Sequence, residues 1–217
     1  MTRKKKLPRF PYDYLGNKAN EYNSQIWMER NQKETSYRCI NYLFDPKLGE
    51  NIHQEYSEYM ILDLGCGTGY SSEILVDFGF NVVAIDLLED MLLKANEKKE
   101  EILNKEIVYE LILANINKLP LRNNSFDFIV SVSAYNFITY GKKNNNEKIK
   151  VLNNTAIQLN RILKENGKII IEFYPSNENE LNLFLDSFKN NNFDGFVIKD
   201  KPQQKGGQTF LLLRKIQ

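Results

Sequence analysis

Residues 59–69 read Tyr-Met-Ile-Leu-Asp-Leu-Gly-Cys-Gly-Thr-Gly, a short apolar run that ends in a glycine-rich turn. A short apolar run bounded by glycine predicts a buried strand, and the residues from about Tyr70 to Phe78 predict a helix after it. Gly65, Gly67 and Gly69 let the backbone turn sharply and approach a ligand where any Cβ would clash. The stretch therefore predicts a strand, a ligand-binding loop and a helix in succession.

The alternation of strand and helix continues along the chain. The elements predicted after the first helix are a strand at 81–86, a helix at 91–103, a strand at 107–113, a strand at 126–131, a helix at about 146–163 and a strand at 168–173. Strands that alternate with helices at this spacing form parallel βαβ units, with helices on both faces of the sheet. The central part of the chain therefore predicts an α/β fold.

The two ends of the chain have different patterns. Near the C-terminus, the apolar runs 196–199 and 210–213 are separated by a loop too short for a crossover helix, so they must pair antiparallel. At the other end, residues 1–23 are polar and aromatic and contain two prolines, which predicts an arm. A helical pattern follows from Ser24 to Phe44, and Pro46 ends it.

The composition excludes several classes of protein. The chain has 217 residues, 42% of them apolar and 26% charged, which is typical of one globular domain. No apolar run approaches the roughly 20 residues of a membrane-spanning helix, and no apolar stretch follows the basic start, so neither an anchor nor a secretory signal is expected. Two cysteines give no disulfide framework. We expect a cytoplasmic protein, or a nuclear or nucleolar one in a eukaryote.

An acid follows the second predicted strand at the same edge of the sheet as the glycine loop. Asp86 can accept hydrogen bonds from two ribose hydroxyls at this position. The spacing of the glycines is not the G-x-G-x-x-G of dehydrogenases, because the third glycine comes one residue early. A nucleoside ligand is therefore predicted, and a dinucleotide dehydrogenase is disfavoured.

The run from Asp63 to Gly69 resembles motif I of S-adenosylmethionine-dependent methyltransferases, Asp-x-Gly-x-Gly-x-Gly. The resemblance implies a Rossmann-like class I methyltransferase fold, with a mostly parallel seven-stranded sheet in the order 3-2-1-4-5-7-6 and an antiparallel last strand. It implies S-adenosylmethionine as cofactor and S-adenosylhomocysteine as product. It also implies a division into residues 1–45, which pack over the active site, and residues 46–217, which bind the cofactor, within one structural domain.

The same resemblance assigns roles to individual residues. Asp63 would orient the cofactor's amino group, and Asp86 would hold the ribose. Leu87 and Met91 would flank the adenine, and Asn115 stands where the family usually has an acid that accepts from the adenine amino group. The other residues implied to contact the cofactor are Gly65, Cys66, Gly67, Thr68, Gly69, Ile116 and Ser131.

A second resemblance covers nearly the whole chain. The stretches Ser-Val-Ser-Ala at 131–134 and Phe-Tyr-Pro at 173–175 are similar to those of the small-subunit ribosomal RNA guanine-N7 methyltransferases, the family of the Williams–Beuren region methyltransferase and its archaeal relatives. Further matching positions are 71–75, 119–121, 125–127, 193–196, 200–202, Tyr22, Gln32 and Arg38. The family's Gln-Trp-Leu after Ser-Ala is replaced here by residues 135–138, and its eukaryotic members carry a long basic tail, whereas this sequence ends at Gln217.

The expected chemistry needs no acid or base. Guanine N7 carries a free lone pair, so its methylation depends on in-line placement, and neither the lone histidine His53 nor any carboxylate pair or Cys/His set suggests otherwise. The residues expected at the acceptor are Ser133, Tyr135, Tyr174 and Pro175. A tyrosine can stack on a splayed-out base; the alternative is that each tyrosine only caps the core.

Residues around this acceptor site are also candidates. Trp27 and Arg30 are expected to close the pocket, with plain packing as the alternative for Trp27. Lys142, Lys143 and the basic run 3–6 are candidate phosphate contacts, with ordinary solvated surface as the alternative.

The third predicted strand suggests a protein partner. Residues 107–113 form an edge in the implied strand order, and no proline or lysine inside them guards that edge. The family resemblance implies a small zinc-binding activator protein that adds a strand there. The alternative is that residues 98–105 fold over the edge. Two other functions stay open: methylation of a tRNA base or a small molecule, and ribosome assembly with little need for turnover.

Overall fold

The computed structural model describes residues 9–49, 53, 55–102, 106–200 and 207–216. Seven strands form one sheet: β1 Met60–Leu64, β2 Asn81–Asp86, β3 Tyr109–Leu113, β4 Phe126–Val132, β5 Leu163–Phe173, β6 Phe193–Lys199 and β7 Thr209–Lys215. Their order is β3-β2-β1-β4-β5-β7-β6. Strands β1 to β5 pair parallel, and β7 runs antiparallel to both β5 and β6. The predicted fold and strand order are confirmed.

Within the described ranges, six α-helices surround the sheet: α1 Asn17–Asn23, α2 Ile26–Leu43, α3 Tyr70–Asp77, α4 Glu89–Glu101, α5 Asn145–Ile162 and α6 Glu178–Lys189. Helices α5 and α6 pack on one face and α2, α3 and α4 on the other. Successive residues of a strand point to opposite faces, so Ile170 packs with the second group and Ile169 and Ile171 with the first. None of the helices in the described part of the chain has the length and apolar character needed to cross a membrane.

The N-terminal arm was predicted wrongly in part. Residues 12–14 form a 3-10 turn, and α1 occupies 17–23, so the chain is already ordered before Ser24. Helix α1 is short, and it buries a single residue, Ala19, against Leu88 and Met91. A seven-residue helix with one buried position gives too little periodicity for recognition from the sequence.

Helix α6 was missed altogether. Its start carries a capping interaction, in which the Asn177 side chain accepts from the N–H of Glu180, and its inner face buries Phe184 and Phe188. The pattern of Asn three residues before Glu, followed by aromatic residues four apart, could have predicted it.

The other boundaries differ from prediction by a few residues. Strand β5 begins at Leu163 rather than Lys168, β6 begins at Phe193 rather than Phe196, and β3 begins at Tyr109 rather than Ile107. Helix α4 begins at Glu89, and the predicted end of this helix at residue 103 lies outside the described residues.

Candidate active site

The glycine loop bends away from the carboxyl end of β1. Gly65, Gly67 and Gly69 have φ of +79°, +56° and +86°, values that residues with a Cβ rarely adopt. The N–H groups of Gly65 and Cys66 both donate to the carbonyl of Ile85 at 2.9 Å, which fixes the loop against the end of β2. A Cβ on Gly65 would lie 2.4 Å from the Cβ of Ala134, so the turn after β4 packs directly on the bare main chain.

Asp86 lies beside this loop and helps to shape it. One carboxylate oxygen accepts from the N–H of Gly67 and the other from the N–H of Leu88, each at 2.9 Å. Burial raises the pKa of this carboxyl, and the main-chain hydrogen bonds oppose that rise. A carboxylate offers about four acceptor positions, so one on each oxygen remains for a ligand.

Two adjoining cavities open above the loop. The first, called the loop cavity, has a volume of about 530 Å³ and is lined by Phe10, Tyr14, Tyr22, Trp27, Met28, Asn31, Gln32, Gly65, Cys66, Gly67, Asp86, Leu88, Met91, Val132, Ser133, Ala134, Asn136, Phe137, Tyr140 and Tyr174. The second, called the side cavity, has about 260 Å³ and adds Leu87, Asn115, Ile116, Asn117, Ile138 and Lys142 to shared residues such as Gly65 and Asp86. A larger acidic cavity of about 730 Å³ along α3 and α4 contains none of the predicted site residues.

Most of the predicted cofactor residues line these cavities. Gly65, Cys66, Gly67, Asp86 and Met91 line the loop cavity. Three more, Leu87, Asn115 and Ile116, line the side cavity. The Asn115 side-chain oxygen already accepts from the N–H of Asn117 at 2.8 Å, which leaves one lone pair for a ligand.

The other predicted cofactor residues lie behind the loop and line neither cavity. Asp63 is fully buried, and one of its oxygens accepts from the hydroxyls of Ser71 and Ser72 at 2.6 Å each. Ser131 donates to the carbonyl of Leu64 at 2.8 Å. Thr68 and Gly69 are similarly turned away, and Gly69 precedes α3 as its N-cap. These four residues shape the loop from behind.

The lining has the chemistry that S-adenosylmethionine requires. Bare main chain at Gly67 borders the cavity, the Asp86 carboxylate has acceptor positions for two ribose hydroxyls, and Leu88 and Met91 give an apolar wall. A volume of about 530 Å³ is within the usual range for ligand pockets. The residues present therefore fit the predicted cofactor.

Of the four predicted acceptor residues, two line the loop cavity. They are Ser133, which directly follows β4, and Tyr174, which directly follows β5. Tyr174 is 44% exposed, so part of its ring surface is open to the cavity. Pro175 is half-buried and lines neither cavity.

The prediction for Tyr135 is wrong. Its ring is fully buried and packs on Phe184 and Phe188 of α6, with ring centroids 5.5 and 5.7 Å apart. The residue follows β4 in a 3-10 turn that directs its side chain into the core, so it cannot stack on an acceptor base.

Asn136 is a site residue that sequence reasoning missed. Its side-chain oxygen accepts from the N–H of Tyr174 at 2.9 Å, and its side-chain nitrogen donates to the Tyr174 carbonyl at 2.7 Å. One amide therefore joins the loops that follow β4 and β5, the two loops that carry the acceptor side. The available indication was an asparagine among residues 135–138, where the resembling family has Gln-Trp-Leu.

The N-terminal segment covers the mouth of the loop cavity with aromatic rings. Phe10 stacks on Phe137 at 4.8 Å between centroids, and Tyr14 meets Phe137 edge-on at 5.5 Å. Helix α2 adds Trp27, which is 56% exposed, and Gln32, which donates to the hydroxyl of Tyr22. These residues close the site on the side opposite the sheet.

The predicted charged residues are only partly at the site. Lys142 lines the side cavity and Lys143 is exposed nearby. Arg30 lies outside both cavities, with its guanidinium 4.0 Å from Glu34. The basic run 3–6 lies outside the described residues, and His53 is exposed, with its N–H donating to the hydroxyl of Tyr59.

Strand β3 is an edge of the sheet within the described residues, since it pairs there only with β2. The side chain of Leu113 is 57% exposed, and Val108, which precedes the strand, is 44% exposed. At the end of α4, Lys99 reaches Glu110 at 3.1 Å, and residues 103–105 lie outside the described residues.

The sequence matches known methyltransferases. A family profile described as "Methyltransferase domain" matches residues 62–171. The "Probable 18S rRNA (guanine-N(7))-methyltransferase" of Dictyostelium discoideum is 26% identical over 207 residues, which are 95% of this chain and 67% of the relative. The "18S rRNA (guanine(1575)-N(7))-methyltransferase" of Saccharomyces cerevisiae is 28% identical over 207 residues, 94% of this chain and 69% of the relative. The chain thus spans about two thirds of the length of these relatives.

The fold also has solved counterparts. The magnesium protoporphyrin IX methyltransferase of Synechocystis, solved with bound SAM, superposes with a TM-score of 0.65 over 94% of each chain at 15% identity. At this identity the similarity concerns the fold.

Proposed function

Because this chain belongs to the methyltransferase domain family and is an S-adenosylmethionine-dependent methyltransferase, we propose that its acceptor is N7 of a guanine in small-subunit ribosomal RNA. The observation that carries the proposal is the alignment, over 94% and 95% of the chain, with two relatives named for this activity. An alignment of that extent includes the acceptor side of the loop cavity as well as the cofactor side.

In this proposal the cofactor occupies the loop and side cavities, and its sulfonium supplies the methyl group. Asp86 accepts from the ribose hydroxyls, and the main chain at Gly67 lies against the nucleoside. Leu87 and Met91 flank the adenine, and Asn115 accepts from the adenine amino group with its free lone pair. The buried Asp63 acts indirectly: it accepts hydrogen bonds from Ser71 and Ser72 and so fixes the start of α3.

The acceptor guanine enters between α2 and the ends of β4 and β5. Tyr174 and Trp27 offer partly exposed ring faces on this side, and base stacking on an aromatic ring contributes about 1–3 kcal/mol. N7 already carries its lone pair, so the chain has to orient the base and exclude water rather than move a proton. Lys142 and Lys143 stand beside the opening and contact phosphates of the RNA.

The exposed edge of β3 is the proposed binding site for a partner protein. We assign it to a small zinc-binding activator protein that adds a strand to the sheet, since an apolar, unpaired edge is a template for strand addition. Co-expression with such a protein is expected to give a soluble one-to-one complex where the chain alone is poorly soluble. A monodisperse and fully active lone chain would contradict this assignment. The site of action is the compartment of ribosome assembly, cytoplasmic or nucleolar.

The experiment that tests the function is transfer of a labelled methyl group. Small ribosomal subunits from a Saccharomyces cerevisiae strain that lacks its own guanine-N7 methyltransferase serve as acceptor, with transfer RNA and a metabolite extract in parallel. We expect label in the small-subunit RNA, mapping to guanine N7, and none with Gly67→Arg, whose side chain would fill the loop cavity.

Two outcomes would contradict the proposal. Label confined to transfer RNA or to a metabolite would assign a different acceptor to the same cofactor site. Full support of subunit maturation by Gly67→Arg in cells would instead indicate an assembly factor that does not need turnover.

A further inference from the structure

A fully buried carboxylate lies in the middle of the sheet next to the acceptor side. Glu172 belongs to β5, where it pairs with Val132 of β4 and Phe210 of β7. Burial raises the pKa of this carboxyl, because a charge in an apolar environment is costly. A buried carboxylate normally has hydrogen-bond donors around it, so the donors to Glu172 identify the parts of the site that this residue holds in place.

The partners of Glu172 converge from two directions. One oxygen accepts from both the N–H and the hydroxyl of Ser133, at 2.8 and 2.7 Å. The other oxygen accepts from the side-chain amide of Gln208 at 3.1 Å. Burial and the charge of the nearby Glu172 carboxylate both raise the pKa of the Tyr174 phenol.

The first direction leads to the turn after β4. Ser133 has a φ of +56°, the left-handed conformation that favours glycine, and the two hydrogen bonds that it donates to Glu172 hold it there. The next residue, Ala134, packs on the main chain of Gly65, and the side-chain amide of Asn136 makes two hydrogen bonds to the main chain of Tyr174. The geometry of this turn therefore sets one wall of the acceptor side.

The second direction leads to α2. Gln208 donates to the hydroxyl of Thr35 at 2.7 Å and accepts from the guanidinium of Arg38, which also binds Asp200 at 2.6 Å. Helix α2 carries Trp27 and Gln32 on the opposite wall of the loop cavity. A continuous chain of hydrogen bonds thus runs from Ser133 on one wall, through Glu172 and Gln208, to the helix that carries the other wall.

We propose that Glu172 is a positioning residue that sets both walls of the acceptor side, through Ser133 after β4 and through Gln208, whose side chain hydrogen-bonds to Thr35 and Arg38 of α2. This inference rests on the proposed transfer to RNA for its activity readout. Glu172 lines neither cavity, so it acts through these neighbours and not on the base itself. Its function is to fix the angle at which the acceptor meets the cofactor.

The first test is Glu172→Gln. An amide presents one oxygen and one NH₂ group, so it cannot accept from both the Ser133 N–H and the Gln208 amide. We expect kcat for methylation of small ribosomal subunits to fall about 10- to 100-fold, as for a misplaced substrate. We expect the Kd for S-adenosylhomocysteine to change by less than about threefold, because the groups assigned to the cofactor bond to Ile85 and Gly67 rather than to Glu172.

A matched control is Glu180→Gln. Glu180 likewise accepts from both the N–H and the hydroxyl of a serine, Ser176, but it lies on α6 and lines neither cavity. We expect its activity to stay within about twofold of the unaltered chain.

The decisive variant exchanges the acid and the amide. In Glu172→Gln combined with Gln208→Glu, the oxygen of the new amide accepts from Ser133 and its nitrogen donates to the new carboxylate. That carboxylate also accepts from Arg38 and from the Thr35 hydroxyl, which turns away from the Asn31 carbonyl to donate to it. The link between Ser133 and α2 is then restored, so we expect kcat of the double variant to be at least about tenfold higher than kcat of Glu172→Gln. Recovery would not occur if Glu172 acted through its own charge.

Hydrogen exchange gives a readout that does not depend on turnover. In Glu172→Gln the amides of Ser133 and Tyr174 are expected to exchange about tenfold faster, and in the double variant they return to the original rate. Unchanged exchange, or exchange restored without recovery of kcat in an active enzyme, would overturn the inference. If the unaltered chain methylates no acceptor, the proposed function fails while the exchange data still decide whether Glu172 fixes the two loops.

Discussion

At the scale of single residues, the cofactor site depends on a close approach between two loops. Gly65 leaves the space that Ala134 occupies, since a Cβ at position 65 would lie only 2.4 Å from the Cβ of Ala134. Real Cβ atoms do not approach that closely, so either the glycine loop or the turn after β4 would have to move. The first glycine of the motif is therefore required for packing as well as for backbone conformation.

Gly65→Ala should accordingly lose cofactor binding, and Gly141→Ala serves as its control. Both glycines have a left-handed φ, +79° and +75°, but a Cβ at Gly141 would meet nothing within 4 Å. We expect Gly141→Ala to lose only about 1 kcal/mol of stability, from the backbone strain alone. Gly65→Ala should lose about 3 kcal/mol and weaken cofactor binding at least tenfold. Thermal unfolding and calorimetry measure both, and equal effects of the two substitutions would contradict the packing argument.

The ionisation of Asp63 makes the stability of the folded chain depend on pH. Burial raises its pKa to about 6, above the ordinary value of 3.8, although the hydroxyls of Ser71 and Ser72 oppose the rise. The folded state therefore holds this proton more tightly than the unfolded state does. The resulting stability is fully present below about pH 4 and is lost as the pH rises through about 6.

Asp63→Asn removes this titration. The difference in unfolding free energy between the unaltered chain and the variant should shift by about 3 kcal/mol between pH 4 and pH 7, with the unaltered chain losing stability relative to the variant as pH rises. Urea titrations of both proteins across this range measure the difference, in which the other titrating groups cancel. A pH-independent difference would show that Asp63 keeps an ordinary pKa.

At the scale of elements, the strands around the glycine loop were predictable and the N-terminal half of the site was not. Strands β1 and β2 are continuous apolar runs closed by Asp63-Leu64-Gly65 and by Asp86, so composition alone locates them. Helix α1 and residues 9–16 instead adopt their places through contacts distant in sequence, such as the hydrogen bond from the Gly16 N–H to Asp90. No local pattern encodes such contacts.

The site residues divide in the same way. The glycine motif predicted which main chain would border the cavity, because glycines act through their own backbone. The orientation of Tyr135 could not be read in this way, because the direction of a side chain after a strand depends on the turn that follows, here a 3-10 turn packed on the unpredicted α6. The sequence contained an indication of Glu172, the lone charge in the run Ile-Ile-Ile-Glu-Phe at 169–173, but its partners Ser133 and Gln208 are distant in sequence.

The edge of β3 gives a prediction at this scale. Val82 donates to the carbonyl of Val108, and Ala114 donates to that of Asp86, so the even-numbered residues of the edge bond to β2. Because hydrogen bonds alternate along a parallel strand, the N–H of Leu111 faces outward. Leu111→Pro should therefore abolish binding of the proposed partner while the chain still folds and binds cofactor.

The control for this substitution is Ile112→Pro, one residue further along. It removes an N–H that faces β2, so it should lower stability by several kcal/mol, about 3 or more. Size-exclusion chromatography of co-expressed pairs and calorimetry of the chain alone distinguish the two variants. Undiminished complex formation by Leu111→Pro would place the partner elsewhere on the surface.

At the scale of the whole molecule, the loop cavity is made by elements from both ends of the sequence. Its floor comes from β1, β2 and β4, and its cover comes from Phe10, Tyr14 and helix α2. The division of the chain at residue 45 into a covering part and a cofactor-binding part remains a prediction. The same arrangement explains why the cofactor site is recognisable in the sequence while the acceptor side requires the folded chain.

The most direct test of the account is calorimetric titration of the folded chain, alone and with its proposed partner, with S-adenosylmethionine and S-adenosylhomocysteine. We predict one site per chain with a Kd on the order of 1–100 μM. Asp86→Ala should weaken it at least about tenfold, and Glu89→Gln, an exposed acid nearby, should leave it unchanged. A folded chain that binds neither compound, or one that binds them equally well after Asp86→Ala, would contradict the assignment of this cavity to the cofactor.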